Sequence, residues 1–293
     1  MYPAIIEDYL RPNSVDEALK AAGKYDAGEA MFIAGGQSLM QAVKSRLVRP
    51  RCVIDLQAIK ELKGISASGA GIRIGAMTCY VDVAADANLK GAYGALSDAA
   101  AHVGDRQVRN RGTIGGSLCW NYVAACMPAA NLAVGSSMEL ISATGKKRTV
   151  IADEFIKGPL ETARADDEVL LAITLPAVPA KAGSAYKKWG VVTDALPVIG
   201  VAVYIEVDGA GAITKARLGI GGLSTGPKRA KGAEAALIGK KAGEAGIGAA
   251  LEKAAAEIET QSDHWADSTY RKNLIRTLGA DVLASAFARA TGK

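Results

Sequence analysis

The sequence predicts an α+β fold in two domains. The chain has 293 residues, which fits about two domains at roughly 150 residues each. Residues 175–183 contain two prolines and a glycine, which break regular structure and indicate a linker. Beyond it, three apolar strands precede several helical stretches, an order typical of α+β domains. We therefore predict a larger domain over residues 1–177 and a smaller one over residues 184–290.

The first lobe of the larger domain, residues 1–56, is predicted to begin with a short helix, which is followed by a strand–loop–helix–strand unit. Asn13 or Ser14 can cap that helix, and Glu17 follows Ser14 at the spacing of a capping box. Glycines separate the first strand from the next helix, as in a tight strand-to-helix turn. The predicted elements are a helix from about residue 14 to 22, a strand over 31–34, a helix over 39–47 and a strand over 52–56.

The second lobe, residues 57–177, is predicted to carry two hairpins followed by a strand over residues 169–175. The hairpins turn at residues 69–71 and at residues 144–145, where glycines favour tight turns. In the C-terminal domain, residues 208–211 join two strands as a hairpin loop. Helices are predicted over residues 80–87 and 94–101 in the lobe and 230–237, 245–260 and 268–290 in the C-terminal domain, whose strands span 184–189, 198–207 and 213–220.

Composition and charge exclude several classes of protein. Charged residues make up 22% of the chain, which together with the mixed apolar pattern excludes a disordered chain. The net charge is only +5 and its basic residues are scattered, so no nucleic-acid partner is predicted. The longest apolar run, Val198–Ile205, is far shorter than the roughly 20 residues of a membrane helix, so no transmembrane segment is predicted. The N-terminus lacks the basic start of a signal peptide, and a cytoplasmic protein is expected.

Thiol and histidine chemistry is also limited. The four cysteines, Cys52, Cys79, Cys119 and Cys126, include no CxxC pair, and we expect free thiols. The chain has two histidines, too few for a histidine metal cluster, and no GxSxG nucleophile motif. The sequence therefore predicts neither a metal site nor a catalytic triad.

Two glycine stretches carry the strongest functional signal. Ala34–Leu39 (AGGQSL) connects a predicted strand to the start of a predicted helix. Thr113–Ser117 (TIGGS) contains a second glycine pair. Adjacent glycines let backbone N–H groups approach a ligand such as a phosphate. Standard phosphate motifs are not predicted, because Gly69–Gly71 lacks the later glycine of a Rossmann motif at Ile74, and Gly145-Lys146 lacks the upstream glycine and the Ser/Thr of a P-loop. From the residues alone, a tight turn and a phosphate-binding loop both remain open.

A family resemblance extends over essentially the whole chain. The AGGQSL stretch, with Lys44–Leu47 (KSRL) and Ile54–Leu56 (IDL), resembles the first FAD-binding stretch of the medium flavoprotein subunit of molybdenum hydroxylases. That family includes carbon monoxide dehydrogenase and xanthine dehydrogenase. Gln107–Leu118 (QVRNRGTIGGSL) resembles the second FAD-binding stretch of the family. Its C-terminal domain is matched by residues 219–222 and by Pro227, Ala230, Asp267, Tyr270, Arg271 and Leu274.

The resemblance implies both a fold and a set of site residues. The fold is a two-lobed FAD-binding domain of the vanillyl-alcohol-oxidase (PCMH) type, followed by a small α+β domain with a three-stranded antiparallel sheet and helices. Both glycine stretches would wrap the pyrophosphate and ribityl chain, Leu170 would pack near the isoalloxazine, and the Lys187 cation would favour its anionic reduced form. The implied cofactor-binding residues are Ile33, Ala34, Gly35, Gly36, Gln37, Ser38, Leu39, Val103, Thr113, Ile114, Gly115, Gly116, Ser117, Cys126, Leu170 and Lys187.

Three positions depart from the family pattern. Cys126 stands where the family has an aspartate that contacts the cofactor, and the loss of such an acceptor costs about 1.5–3 kcal/mol. Ser117 replaces an asparagine, and Val103 aligns with an aromatic residue that stacks near the flavin. These departures imply weaker FAD binding and a changed redox potential.

The function implied by the resemblance is electron transfer within a heterotrimer, with no catalytic residue on this chain. A large subunit with the molybdenum cofactor would oxidise the substrate, and a small subunit with 2Fe–2S clusters would pass electrons to FAD on this chain. An external electron acceptor would then receive them. Two alternatives remain open: a self-contained FAD-dependent oxidase or dehydrogenase, and a structural subunit with weakened flavin binding.

Overall fold

The first lobe is built on a small parallel sheet. The computed structural model describes residues 5–68 and 71–292. Within them the strand order is β1-β3-β2, and the elements are β1 Asp8–Leu10, α1 Val15–Ala22, β2 Ala30–Ile33, α2 Leu39–Lys44 and β3 Cys52–Asp55. The predicted cap is present, because Ser14 Oγ accepts a hydrogen bond from the Glu17 N–H at 3.2 Å. Helix α2 ends three residues earlier than predicted, since Arg46 adopts a left-handed conformation with φ 61°.

The second lobe is built on a five-stranded antiparallel sheet. Its order is β4-β5-β10-β6-β7, so the strand that follows the two hairpins lies between them in the centre. Both predicted hairpins and the late strand are confirmed, although the turn residues 69–70 lie outside the described residues. The elements are β4 Ile65–Ser68, β5 Gly71–Gly75, α3 Tyr80–Ala85, α4 Gly94–Ala101, α5 Arg106–Arg111, α6 Ile114–Trp120, α7 Cys126–Val134, β6 Ser137–Ser142, β7 Lys147–Ile151, α8 Ala152–Phe155, β8 Ile156–Gly158, β9 Glu161–Thr162 and β10 Glu168–Pro176.

Three helices, α5, α6 and α7, occupy a segment that the sequence did not predict as helical. Asp105 caps α5 by accepting from the Val108 N–H at 2.7 Å, and Thr113 caps α6 by accepting from the Gly116 N–H at 3.1 Å. These caps fix helix starts inside a glycine-rich run that has no helical periodicity. Helix α7 is buried along its whole length.

The C-terminal domain is an antiparallel sheet covered by helices. Its three long strands are those predicted, and a two-residue strand adds a fourth at the edge. Beyond them, three helices cover one face of the sheet. The elements are β11 Ala182–Trp189, β12 Ile199–Val207, β13 Ile213–Gly221, β14 Lys228–Arg229, α9 Lys231–Leu237, α10 Ala245–Glu257 and α11 Ser268–Thr291.

The other face of this sheet packs against α4 and α7 of the N-terminal domain. A Cβ added at Gly219 would lie 2.2 Å from the carbonyl oxygen of Ala129, so β13 and α7 touch backbone to backbone. Two ion-pair groups also cross the domain boundary. Asp153 pairs with Arg217 at 2.5 Å and Arg229 at 2.7 Å, and Asp98 pairs with Arg289 at 2.6 Å.

None of the helices within residues 5–68 and 71–292 is long and apolar enough to cross a bilayer.

Candidate cofactor-binding site

The first glycine stretch forms an irregular loop between β2 and α2. Gly36 adopts the left-handed conformation with φ +74°, which favours glycine. A Cβ added at Gly35 would lie 2.0 Å from the Arg111 carbonyl oxygen and 2.8 Å from the Gly112 Cα. Only glycine fits at position 35, because the obstruction is backbone that cannot rotate away.

The N–H groups of this loop are available to a ligand. The backbone N–H groups of Gly36, Gln37 and Ser38 have no acceptor among the described residues. The side chains of Gln37 and Ser38 are exposed, and Gln37 Nε2 donates to the Gly35 carbonyl at 3.3 Å. Successive backbone N–H groups in a turn that contains a left-handed residue make a concavity for anions. We call residues 36–38 the amide cradle.

The second glycine stretch is the first turn of α6, and its N–H groups are already paired. Ile114 N–H donates to Thr78 O at 3.1 Å, Gly115 N–H to Ala76 O at 2.9 Å, and Gly116 N–H to Thr113 Oγ1 at 3.1 Å. A Cβ added at Gly115 would lie 2.6 Å from both the Cβ and the carbonyl oxygen of Ala76. The glycine at 115 therefore allows close packing of the helix on the chain that enters α3.

The structure brings the two predicted stretches together. Gly35 lies against the backbone of Arg111 and Gly112, and a Cβ added at Gly116 would lie 3.2 Å from Ala34 Cβ. Gln57 Nε2 also donates to the Ala34 carbonyl at 3.2 Å. Residues 33–39 and 113–117 thus lie in contact, although they are about eighty positions apart in the sequence.

Cys126 begins α7 beside a buried polar group of the C-terminal domain. Its neighbour Tyr186 is 3% exposed, and the Tyr186 hydroxyl has no hydrogen-bond partner within the described ranges. Burial, and the adjacent Cys126 thiol, raise the pKa of Tyr186 well above its ordinary value. Burial lowers the pKa of half-buried Lys188, an effect that the nearby Cys126 and Asp194 oppose. A thiol, a phenol and an ammonium group therefore meet where the two domains join.

The remaining predicted site residues occupy different surroundings. Leu170 is buried in β10, and half-buried Val103 packs against the same hydrophobic core. Lys187 is exposed and its Nζ contacts Asp281 Oδ2 of α11 at 2.5 Å. This places Lys187 on the face of β11 opposite to Tyr186 and Lys188. Its role at the cofactor stays a prediction.

The sequence did not indicate that Tyr186 and Lys188 lie at the boundary between the two domains. Side chains in a strand alternate between its two faces, so Lys187 must face away from both neighbours. The sequence carries this alternation, but it does not say which face meets the N-terminal domain.

The thiols have the properties of structural cysteines. All four are free. Burial raises the pKa of Cys79 and Cys126, and it raises the pKa of Cys119 to about 11. Thiols with raised pKa values are weak nucleophiles near neutral pH, which supports the expectation of inert thiols at Cys119 and Cys126.

Comparison with known proteins adds two family matches and several close relatives. Residues 4–178 match the family of the FAD binding domain in molybdopterin dehydrogenase, and residues 184–286 match the CO dehydrogenase flavoprotein C-terminal domain. The chain is 32% identical to the carbon monoxide dehydrogenase medium chain of Hydrogenophaga pseudoflava, over 96% of this chain and 97% of the relative. It is 33% identical to the glyceraldehyde dehydrogenase medium chain of Sulfolobus acidocaldarius, over 95% and 97%.

The fold is also similar to solved structures. One is carbon monoxide dehydrogenase from Hydrogenophaga pseudoflava lacking the Mo-pyranopterin moiety of the molybdenum cofactor. The match has a TM-score of 0.92 at 34% identity and covers 99% of both chains. The predicted fold class is therefore confirmed.

Proposed function

The chain belongs to the family of FAD-binding medium subunits of molybdenum hydroxylase-type dehydrogenases, and we propose that it transfers electrons within a complex of three kinds of subunit. Two electrons leave the substrate on a large molybdenum-cofactor subunit and cross the 2Fe–2S clusters of a small subunit one at a time. They leave through the flavin site of this chain to an external electron acceptor. The amide cradle is the main support for this proposal. Its N–H groups have no acceptor among the described residues, and they lie inside the matched FAD-binding domain.

The residues present fit a cofactor with a diphosphate. The N–H groups of Gly36, Gln37 and Ser38 can donate to phosphate oxygens without breaking any bond among the described residues. Gly35 keeps this loop pressed against Gly112, which fixes the cradle beside the second stretch. Bound FAD supplies the electron-transfer chemistry, and the chain supplies binding, orientation and electrostatics.

The substrate is proposed to be chosen by the large subunit. Two similar medium chains carry the names of different dehydrogenases, one for carbon monoxide and one for glyceraldehyde. Within residues 5–68 and 71–292, neither histidine is paired with a carboxylate that would make it a general base. His102 Nδ1 contacts only the Asp98 backbone carbonyl, at 2.7 Å. This arrangement supports a carrier of electrons over a self-contained oxidase.

The proposal is tested on the complex purified with its partner subunits. We expect the complex to show flavin absorption and to release FAD on heating, in one equivalent per copy of this chain. Gly35→Val should remove nearly all FAD, because its side chain cannot fit against Arg111 and Gly112. Gly209→Val is the matched control, since a Cβ at this exposed glycine meets nothing within 4 Å.

Two results would contradict the proposal. A wild-type complex that stays colourless even after incubation with FAD would favour the structural-subunit alternative. Full FAD occupancy in Gly35→Val would show that the glycine loop is not the binding site.

A further inference from the structure

The exposed apolar side chains of the protein are concentrated where three loops meet at the boundary between the two domains. Among the described residues, thirteen large hydrophobic residues are exposed, and six of them belong to these loops or to the helical turn that follows one of them. Between 40% and 63% of each of the six is exposed. We call them the apolar face; they are Tyr122, Val191, Val192, Leu196, Trp265 and Tyr270.

Arg271 holds two of these loops together from below. It is 2% exposed, and its Nη1 donates to the Val198 carbonyl at 2.6 Å, at the end of the loop between β11 and β12. The same nitrogen donates to the Gly222 carbonyl at 3.1 Å. Its Nη2 donates to Asp263 Oδ2 at 2.6 Å, in the loop that carries Trp265. The loops are therefore fixed relative to each other by a buried side chain.

The N-terminal domain contributes to the same face. The Gly222 N–H donates to the Val123 carbonyl at 2.9 Å, which fixes the residue next to Tyr122 against the C-terminal domain. On the other side, the Tyr270 ring meets the ring of Trp189, the last residue of β11, edge-on at 5.3 Å between centroids. The apolar face therefore spans the domain boundary on a preformed support.

The size of the apolar face matches one side of a protein–protein interface. At roughly 200 Å² for a fully exposed aromatic side chain, the six residues expose roughly 500 Å² together. The largest apolar patch of a monomeric protein is about 300–600 Å² and is often functional. A standard interface covers about 800 Å² of each partner, and about 57% of that area is apolar. The apolar face thus supplies the apolar part of one stable interface, which is more than a transient redox encounter uses.

The acidic groups beside the apolar face already have partners within the chain. Asp263 pairs with Arg271, and Asp267 caps α11. Asp194, in the loop between β11 and β12, lies within electrostatic reach of Lys188. The face therefore offers mainly apolar contact. An anionic lipid surface attracts clusters of lysine and arginine, whereas this face fits a protein that has an apolar surface of its own.

The apolar face also lies next to the proposed flavin site. Tyr122 is in the short loop between α6, whose first turn is the second glycine stretch, and Cys126, which begins α7. The fold of a cofactor protein has to hold the cofactor close to the group with which it exchanges electrons. Among the proposed partners, the small 2Fe–2S subunit is the one that passes electrons to FAD.

We propose that the apolar face is the docking surface for the small 2Fe–2S subunit, which covers it with apolar side chains. This inference rests on the proposed electron-transfer function and assigns one of its partners to a surface of this chain. Trp and Tyr residues at the centre of an interface contribute most of its binding energy, so Trp265, Tyr122 and Tyr270 are the expected anchors.

The test titrates the purified small subunit, with its clusters, against the immobilised full-length chain. Val192→Asp should weaken the Kd at least about tenfold, because its carboxylate would be buried without a partner. Ile238→Asp is the matched control. Ile238 is 47% exposed and lies at the opposite end of β13, where the neighbouring Gly239 N–H donates to the Ile213 carbonyl. It should change the Kd less than about twofold, as expected outside a contact.

Two further measurements sharpen the test. Thermal unfolding should be unchanged in both variants, since both side chains are exposed. The wild-type Kd should change less than about threefold between about 0.05 and 0.5 M salt, because ions screen charged contacts and not apolar ones.

Several results would overturn this inference. Equal Kd values in wild type and Val192→Asp would do so, as would a wild-type chain that does not bind the small subunit. A Val192→Asp variant that instead loses the large subunit, self-association or binding to phospholipid vesicles would assign the face to another partner. In each of these cases the proposed function stands as long as the purified complex contains FAD. A complex that never binds FAD contradicts the proposed function itself.

Discussion

The two glycine stretches look alike in sequence and differ in what their backbone N–H groups do. In the first, the N–H groups of Gly36, Gln37 and Ser38 have no acceptor among the described residues. In the second, those of Ile114, Gly115 and Gly116 are all bonded inside the protein. Adjacent glycines thus serve two needs: one pair leaves donors open to a ligand, and the other lets the chain pack closely beneath them.

This difference assigns ligand binding to the first stretch and structural support to the second. Gly115 packs on Ala76, and Gly116 packs on Ala34 of the first stretch. The second stretch therefore holds the first in place while contributing few free donors of its own. Damage to the second stretch should reduce protein stability, and substitution of the exposed residues 37 and 38 of the first stretch should reduce FAD affinity.

The largest effect expected within the second stretch is that of Gly115→Val on stability. The added side chain would collide with the backbone of Ala76, and overpacking of this kind costs about 3 kcal/mol. Urea unfolding of the FAD-free protein measures the change, with Gly209→Val as the control at an open position. Unchanged stability in Gly115→Val, together with lost FAD binding, would break the distinction between the stretches.

Much of the fold could be predicted from local signals in the sequence. The Ser14 cap, the two hairpins and the three long C-terminal strands were all predicted, because capping spacing, turn glycines and apolar runs are local patterns. Helices α5 and α6 were missed, since their starts depend on single caps at Asp105 and Thr113. Helix α7 was missed because no side chain caps its start at Ala125. Strand β1 was missed because it has three residues and gains its pairing from β3.

The site was predicted less completely, for a physical reason. The glycine stretches are contiguous motifs, and the structure places them in contact. Tyr186 and Lys188 meet the N-terminal domain only because one face of the C-terminal sheet packs on α4 and α7. That packing depends on long-range contacts such as Gly219 against Ala129, which no local pattern specifies.

A smaller effect is expected from Thr113→Ala. Loss of the side-chain cap of α6 should destabilise the FAD-free protein by about 1 kcal/mol, because the Gly116 N–H loses its acceptor. Thr113→Ser keeps the hydroxyl and should restore most of the stability in the same unfolding measurement. Equal losses in the two variants would mean that the threonine methyl group, rather than the cap, supports the second stretch.

An effect of similar size, and the sharpest test of the amide cradle, is expected from Gln37→Glu. The Gln37 side chain is exposed, so the substitution leaves the fold intact and places a negative charge beside the N–H groups of residues 36–38. Repulsion of the FAD diphosphate at this exposed position should be worth about 1 kcal/mol, which weakens the FAD Kd about fivefold. The effect should shrink as salt concentration rises, because ions screen exposed charges.

Gln41→Glu is the matched control for this last test, since Gln41 is also exposed and lies one helical turn further along α2. Fluorescence titration of the FAD-free protein gives both Kd values, and thermal unfolding checks that neither variant changes stability. Equal FAD affinity in the Gln37 and Gln41 variants would place the diphosphate elsewhere. The paired N–H groups of the second stretch would then have to open to receive it, and the distinction between an open and a supporting glycine stretch would fail.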